Sequence, residues 1–227
     1  AISPARSATG HALLAGDPHL EINRLPAIWY EAVLQWEDQY VMGATLPGCP
    51  LFGVARTNRL AWAVTYLKAD TSDFFVEECR RGGMTGWQYR RGEDWHDFLR
   101  RDERIERKGG PTISVPIYYN DVGTLECDPE SVGEGHYLSV AWAGTAAGVG
   151  QSIATWLKLI GSRSTKQAME TVRDNPQPTL NWIFADRDGH IGKQASGWIP
   201  IRRDGQSGLA PASAADAKNH WRGWQDA

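Results

Sequence analysis

Residues 149–197, VGQSIATWLKLIGSRSTKQAMETVRDNPQPTLNWIFADRDGHIGKQASG, decide the predicted fold because two helical patterns precede a hairpin. Apolar residues recur at helical spacing, first at Ile153, Trp156, Leu157 and Ile160 and then at Ala168, Met169 and Val172. Ser164 or Thr165 can cap the second helix, and the Asp-Asn-Pro run after it ends the helix. The apolar run from Leu180 then turns at Asp186 to Gly189 and returns, which is typical of a hairpin.

The sequence before this stretch is typical of a sheet protein. Five segments rich in β-branched, aromatic and apolar residues are separated by Gly, Pro, Asn or Asp: 11–15, 28–36, 39–44, 60–65 and 73–79. The charged segment 101–107 (RDERIER), beside TISVPIYYND, predicts an exposed ribbon whose polar side chains discourage edge-to-edge pairing. Strands, then a helix pair, then strands indicate an α+β fold rather than alternating βαβ units.

The composition is ordinary for a globular protein and argues against two classes of partner. Hydrophobic residues make up 41% of the 227 residues, and 24 basic against 27 acidic residues give a net charge of −3. No net positive field favours nucleic acid or an anionic membrane. No window approaches the roughly 20 apolar residues that a membrane-spanning helix needs. We therefore expect neither nucleic acid nor a membrane as a partner.

The three cysteines, Cys49, Cys79 and Cys127, show no CxxC pair and no spacing suited to zinc. A disulfide between Cys79 and Cys127 is one alternative in an oxidising compartment. The other alternative is that all three are small buried hydrophobes. The sequence also lacks a Gly-rich phosphate loop, HExxH and GxSxG, so the usual short motifs of nucleotide, zinc and α/β-hydrolase chemistry are absent.

Six segments resemble, in the same order, the β-chain of penicillin acylase-type enzymes: SATGHALLAGDPHLE, PAIWYEAVLQ, GATLPGCP, NRLAWAVT, PTLNWIFADRDGHIG and GWIPIRR. This family includes cephalosporin and acyl-homoserine-lactone acylases, and the resemblance spans nearly all of the chain. It implies a four-layer αββα N-terminal-nucleophile hydrolase fold, present here in part as a single domain over residues 1–227. It also implies an α-chain cut from the same precursor, a small N-acyl substrate and a periplasmic or secreted location.

The resemblance also implies a catalytic serine that is absent from these residues. In that family the first residue of the β-chain, a serine, attacks the amide carbonyl, and its own α-amino group serves as the base. The family's β-chain begins Ser-Asn-any-Trp before a stretch like AISPARSATG, whereas this chain begins at Ala1. Ser3 would need further trimming to gain a free amine, so we do not expect it to substitute.

Two hypotheses arise from this resemblance. The first is the N-terminal part of the β-chain of an acylase that hydrolyses an N-acyl amide bond, inactive by itself. The alternative is a non-catalytic truncated relative that keeps the fold as a binding or structural module.

The resemblance carries several site residues onto this sequence. His19 falls on the family's Pro-His corner and would either position the nucleophile or hold the loop. Tyr66 ends the segment LAWAVTY, whose main-chain N–H forms half of the oxyanion hole in the family. Asn181 matches a strand residue and is expected to be structural. Three positions that line the family's acyl pocket are apolar here, which predicts an apolar or aromatic acyl group: Leu20, Val64 and Leu180. The alternative is that all three are ordinary core residues.

The loop 70–73 (DTSD) matches calcium ligands of the family. Asp70 and Asp73 match two carboxylate ligands of a structural Ca²⁺, and the carbonyl of Ser72 is a third candidate. Calcium takes about six to eight oxygen ligands, which a short acidic loop can begin to supply. Two acids in a turn also occur without any metal, so an ordinary acidic turn is the alternative.

Overall fold

The computed structural model describes residues 1–18, 28–49, 51–147 and 149–226. Within these residues strands predominate over helices, so the coarse prediction of mixed helices and sheets is confirmed. The strands are β1 (Tyr30–Trp36), β2 (Gln39–Thr45), β3 (Val54–Thr57), β4 (Leu60–Tyr66), β5 (Ser72–Arg81), β6 (Trp87–Arg91), β7 (Asp94–Asp97), β8 (Leu99–Ile105), β9 (Ile113–Tyr119), β10 (Thr124–Leu125), β11 (Gly135–Trp142), β12 (Leu180–Asp186), β13 (Ile191–Ser196), β14 (Trp198–Pro200), β15 (Ala212–Ser213) and β16 (Trp224–Asp226). The helices are α1 (Pro129–Val132), α2 (Ala143–Ala147), α3 (Val149–Ile160) and α4 (Thr165–Arg173), with 3-10 turns at Pro4–Arg6 and Ala217–Asn219.

The chain divides into two compact units. The first comprises Ala1–Ala69, Ala146–Ile199 and Asp226, and the second comprises Asp70–Thr145 and Pro200–Gln225. The first unit holds a six-stranded antiparallel sheet in the order β1-β2-β3-β4-β12-β13. The second holds an eight-stranded sheet with the path β7-β6-β5-β11-β10-β9-β8, to which β15 adds in parallel beside β5. The single domain over residues 1–227 and the four-layer arrangement stay predictions.

The two helices predicted from apolar spacing cover the six-stranded sheet. The apolar stripe predicted for α3 is wrong in part, because Ile153 and Leu157 are exposed. Leu159 of α3 and Ala168 and Val172 of α4 are buried in one cluster with Trp182 and Phe184 of β12. Burying an apolar side chain stabilises a fold by roughly 1.5–3 kcal/mol, so this layer supplies much of the first unit's stability. None of the described helices is long and apolar enough to cross a membrane.

The predicted ends of helix α4 are confirmed. The hydroxyl of Ser164 accepts a hydrogen bond from the Gln167 N–H at 3.2 Å, as an N-cap does, and Asp174 is the C-cap. Asn175, the next residue, is buried, and its Oδ1 accepts a hydrogen bond from Trp156 Nε1 at 3.2 Å. The run that ends α4 therefore also ties it to α3.

The predicted turn after β12 is confirmed, and Asp186 joins this turn to helix α4. Its Oδ2 accepts from the N–H and the hydroxyl of Thr165 at 3.0 and 3.2 Å, and its Oδ1 accepts from the His190 N–H at 2.9 Å. The side chain is 1% exposed. Burial by itself would raise the pKa of Asp186, but these donors favour the charged carboxylate and hold the pKa below its usual value.

Asp186→Asn is expected to lower the free energy of unfolding by about 1–3 kcal/mol at neutral pH, because the amide turns a donor towards buried N–H groups. The folded pKa lies below the unfolded value of about 3.9, so the carboxylate stabilises the fold above that pH and less as pH falls through the folded pKa. Urea unfolding should therefore show the gap between wild type and variant narrowing below about pH 4. Asp188→Asn, in the exposed part of the same turn, is the control. A gap that does not change with pH would contradict this role.

The buried face of β5 forms the centre of the second unit and carries two acids. Asp73, Phe75, Glu77 and Cys79 alternate along the strand, and all four are buried. Because successive strand residues point to opposite faces, these four side chains share one face. Buried acids need partners, and the two acids obtain theirs from different parts of the chain.

Glu77 is neutralised by Arg91 of β6. The guanidinium donates to both carboxylate oxygens, at 2.6 and 2.9 Å, and its Nη2 also contacts Asp121 Oδ1 at 2.7 Å. Asn120 Nδ2 donates to Glu77 Oε1 at 2.6 Å. The Glu77 side chain is 0% exposed, so a bidentate pair with an added amide donor replaces its lost hydration.

The predicted exposed ribbon is confirmed as the hairpin of β8 and β9. The two strands pair from Leu99 with Tyr119 to Ile105 with Ile113, and every residue of β8 is exposed. Tyr118 of β9 is the buried exception on the second strand, where it packs with Phe98. The charged side chains of β8 therefore face solvent, as the sequence predicts.

The strand predicted over residues 11–15 is wrong beyond a single bridge. Ile2 and Leu13 exchange two backbone hydrogen bonds, at 2.8 and 3.0 Å. The ladder does not continue because Ser3 leads directly into the 3-10 turn at Pro4–Arg6, and proline lacks the N–H that a longer ladder would need.

All three cysteines carry free thiols, with Cys79 buried and Cys49 and Cys127 partly buried. Cys79 lies on β5 and Cys127 just beyond β10, and these strands pair with opposite edges of β11. Two strand spacings separate the Cα atoms of Cys79 and Cys127 by roughly 10 Å. A disulfide needs a Cα–Cα distance of about 4–7 Å, so the fold does not favour this pair.

Burial, with the nearby Glu77 charge, raises the pKa of Cys79 to about 12. Its alkylation by iodoacetamide at mildly basic pH is therefore expected to be on the order of 10³-fold slower in the folded chain than after unfolding, since the thiolate is the nucleophile. Mass spectrometry after unfolding without reductant should show three alkylated thiols. Recovery of one thiol would instead indicate the disulfide.

Candidate active site

Tyr66 ends strand β4, in the middle of the six-stranded sheet. β4 pairs with β12 on one side, with Tyr66 opposite Leu180 and Val64 opposite Trp182. On the other side it pairs with β3 at Trp62 and Ala61. Tyr66 thus lies where the ladder with β12 ends, and it is 58% exposed.

The backbone N–H of Tyr66 points away from β12. In an antiparallel ladder, pairs that exchange hydrogen bonds alternate with pairs that do not. Leu67 N–H donates to Thr179 O at 3.1 Å, so the neighbouring pair of Tyr66 and Leu180 is a pair that does not exchange them. On the β3 side the described pairing does not extend as far as Tyr66. Within the described ladders this N–H is therefore left for another acceptor.

Val64 and Leu180 lie on the face of the sheet that the helices cover. Leu180 is 3% exposed and belongs to the core cluster, and Val64 packs against that cluster. Trp156 of α3 meets Trp182 edge to face with ring centroids 4.8 Å apart. The structure brings Val64, Leu180 and Tyr66 together. The acyl-pocket role of Val64 and Leu180 and the oxyanion role of Tyr66 stay predictions.

The Asp-Pro corner before His19 approaches strand β4. A Cβ on Gly16 would collide with the Cβ of Ala63, so the backbone before Asp17 and Pro18 lies directly on this strand. Ala63 alternates with Val64 and faces the side opposite the helices. His19 and Leu20 themselves lie outside the described residues, and their assigned roles stay predictions.

Asn181 lies on β12 between Thr65 of β4 and Ala195 of β13. It is a ladder residue of a central strand. This placement agrees with the structural role expected from its sequence match.

The predicted calcium ligands lie in the second unit, beside Arg202. The guanidinium Nε donates to Asp73 Oδ2 at 2.8 Å, and Nη2 contacts Asp70 Oδ2 at 2.9 Å. Trp221 Nε1 donates to the same Asp73 Oδ2 at 2.6 Å. Ser72 opens β5 and pairs with Trp142 of β11. Asp70 and Asp73 are therefore brought together, and an arginine already joins them.

This arrangement does not fit a calcium ion. An ion between the two carboxylates would lie next to a guanidinium that is itself bonded to both. Among the residues that the structure describes, no three His, Cys, Asp or Glu side chains come together in a way that could hold a metal. No catalytic step and no structural role is therefore assigned to calcium.

Sequence reasoning missed Arg202, Trp221 and Arg91 as partners of buried acids. Arg202 lies in the segment GWIPIRR, which carries the resemblance, but nothing in that segment marks the arginine as buried. A signal for Arg91 was available, because Glu77 falls on the inward period of an apolar strand and an inward acid requires a cation.

Comparison with known proteins places the chain in a family. The family model described as penicillin amidase matches residues 1–227. An acyl-homoserine lactone acylase, QuiP, of Pseudomonas syringae pv. tomato is 31% identical over 226 residues, which cover 100% of this chain and 27% of the relative. Penicillin acylase 2 proenzyme of Pseudomonas sp. strain SE83 is 27% identical, covering 99% of this chain and 28% of the relative.

A solved structure shows the fold. Thermostable penicillin G acylase from Alcaligenes faecalis matches with a TM-score of 0.75 and 22% identity, over 88% of this chain and 35% of that one. The chain thus shares the fold of a penicillin acylase, and it spans about a quarter of the length of the curated relatives. Since the family model covers residues 1–227, this chain belongs to the penicillin amidase family.

Proposed function

We propose that this chain is part of the β-chain of an acylase that hydrolyses the amide bond of an N-acyl substrate. The observation that carries the proposal is the backbone N–H of Tyr66, which points away from β12 at the end of a central strand. An oxyanion donor has to be fixed before the reaction, and a ladder residue of a sheet meets that requirement. Membership of the penicillin amidase family supports the reaction class.

In the proposed reaction an N-terminal serine, which is not among these 227 residues, adds its Oγ to the amide carbonyl carbon. Its α-amino group takes the hydroxyl proton, and the carbonyl π electrons move to oxygen. The N–H of Tyr66 donates to that oxyanion, and His19 positions the serine. Collapse of the intermediate breaks the C–N bond, and the α-ammonium protonates the leaving amine. Water then attacks the acyl ester with the same amine as base, which releases the carboxylic acid.

We propose N-acyl homoserine lactones as the substrate class. Relatives named as acylases of these compounds are 27–31% identical to this chain, and relatives named as penicillin acylases are 23–27% identical. The apolar residues Leu20, Val64 and Leu180 suit an aliphatic acyl chain. An apolar pocket distinguishes acyl chains of different length only weakly. The lactone head group would therefore determine the substrate class, and the pocket would add a modest preference for one acyl-chain length.

The proposed partner is an α-chain cut from the same precursor, and the proposed location is the periplasm or outside the cell. A relative is named a proenzyme, which supports processing. Exposed apolar side chains on β1 and β2, such as Val33 and Met42, provide surface for such a partner.

The test is amine release by the protein produced from its own gene. N-acyl homoserine lactones with short and long acyl chains are compared with a phenylacetyl amide, and the freed amine is measured with fluorescamine. We expect kcat/KM at least about tenfold higher for an acyl-homoserine lactone than for the phenylacetyl amide, which corresponds to about 1.4 kcal/mol. Ring opening without amine release, or binding without turnover, would contradict the proposal; binding alone would favour the non-catalytic relative.

A further inference from the structure

We propose that the guanidinium of Arg202 replaces a divalent cation between Asp70 and Asp73, so that this chain closes the 70–73 loop without calcium. Arg202 comes after β14, and its contact with Asp73 joins positions 129 residues apart in the sequence. The pair thus ties the segment from Pro200 onwards to β5. A structural metal ion performs the same task when it collects ligands from distant parts of a chain.

The Arg202 side chain is largely buried and contacts both acids. Its side chain is 13% exposed and that of Asp73 is 3% exposed, so the pair is largely removed from water. Nε and Nη2 reach one carboxylate each, and Nη2 also lies 3.5 Å from the Asp70 carbonyl. The planar fork of arginine suits two acceptors at once, which a point charge such as lysine does not reproduce.

The second oxygen of Asp73 lies close to the main chain at Gly208. Asp73 Oδ1 is buried without a hydrogen-bond partner in the described structure. A Cβ on Gly208 would collide with that oxygen and would lie 2.9 Å from Arg202 Nε. Gly208 has a φ of +77°, which favours glycine and allows this close approach. An ion at Oδ1 would therefore lie beside both this glycine and the Arg202 guanidinium.

The charges lead to the same conclusion. Two carboxylates and one guanidinium leave a net charge of about −1, of which only the Asp73 and Arg202 groups are largely buried, whereas an added divalent cation would leave about +1 beside the guanidinium. The neutral Nε1–H of Trp221 donates a second hydrogen bond to Asp73 Oδ2. Asp73 Oδ2 thus receives one donor from a cation and one from a neutral group.

The test uses the protein produced from its own gene, with calcium or terbium as the probe. Thermal unfolding is followed by tryptophan fluorescence in EDTA and in millimolar Ca²⁺, and terbium emission is excited through tryptophan, since Trp221 contacts Asp73. For the wild type we expect the same unfolding temperature in both solutions and no sensitised emission. A wild type that unfolds several degrees higher in calcium, or that sensitises terbium in a way that Asp73→Asn abolishes, would overturn the proposal.

Arg202→Met tests the same idea from the other side. Loss of the guanidinium leaves Asp73 without a cation, so the unfolding temperature of the variant in EDTA should be about 10 °C lower than that of the wild type. Calcium should then restore part of the loss, because two carboxylates become free for it. Arg203→Met is the matched control and should change neither value. A folded Arg202→Met with the wild-type unfolding temperature would overturn the proposal. If Arg202→Met fails to fold, Arg202→Lys, which keeps the positive charge, replaces it. An unfolding temperature of Arg202→Lys that calcium does not change supports the proposal, and one that calcium raises overturns it.

Discussion

Tyr66→Pro is expected to lower kcat of the proposed acylase by about 10²–10³-fold, because proline removes the one N–H that the proposal assigns to the oxyanion. Tyr66→Ala keeps that N–H and is expected to stay within a factor of a few of the wild type. The comparison of Tyr66→Pro with Tyr66→Ala isolates this N–H, because it takes no part in the ladder with β12. Proline at this position therefore removes no hydrogen bond to that strand.

The measurement is steady-state hydrolysis of an N-acyl homoserine lactone by the protein produced from its own gene. An interaction made only in the transition state lowers kcat and leaves KM nearly unchanged. Circular dichroism and the unfolding temperature establish that both variants fold. Equal kcat values for folded Tyr66→Pro and Tyr66→Ala would show that this N–H is not an oxyanion donor.

Arg91→Met is expected to lower the free energy of unfolding by about 3–5 kcal/mol, because it leaves the buried Glu77 without its cation. Asn120 keeps one donor on Glu77, but a neutral amide does not compensate a buried charge. Urea unfolding followed by fluorescence measures the loss. The effect should be large because Glu77 is fully buried.

Arg90→Met is the matched control from the same strand. Arg90 pairs with Glu78 and Glu93, whose side chains are partly or largely exposed, so little change in the urea midpoint is expected. The double variant Glu77→Gln with Arg91→Met should be more stable than Arg91→Met alone, because it removes the stranded charge. If Arg91→Met and Arg90→Met lost the same stability, burial of Glu77 would not be the cause.

Local signals in the sequence predicted much of the first unit. Helix α4 has an apolar stripe and the capping residue Ser164, and both are properties of a few neighbouring residues. The hairpin of β12 and β13 is defined by its turn at Asp186, and the predicted and observed bounds of β4 differ by one residue. Such elements can be predicted because hydrogen bonds within a short span decide them.

Contacts between distant residues could not be predicted in this way. Arg202 and Arg91 resemble surface residues in the sequence, and only the fold buries them against Asp73 and Glu77. The donor at Tyr66 is a backbone group, so no side chain marks it, and its direction depends on the ladder register alone. The resemblance pointed to this residue, whereas the residue type carries no signal.

Strand β1 affects how this chain must be handled in solution. It is the edge of its sheet in the described residues, and six of its seven residues are exposed. Tyr30, Val33, Leu34 and Trp36 are large, apolar and distributed over both faces. An unpaired strand edge of this composition is a template for a second strand, and two such chains can extend each other's sheets. Purification and assays of this chain by itself therefore call for dilute solutions or for a polypeptide that covers β1.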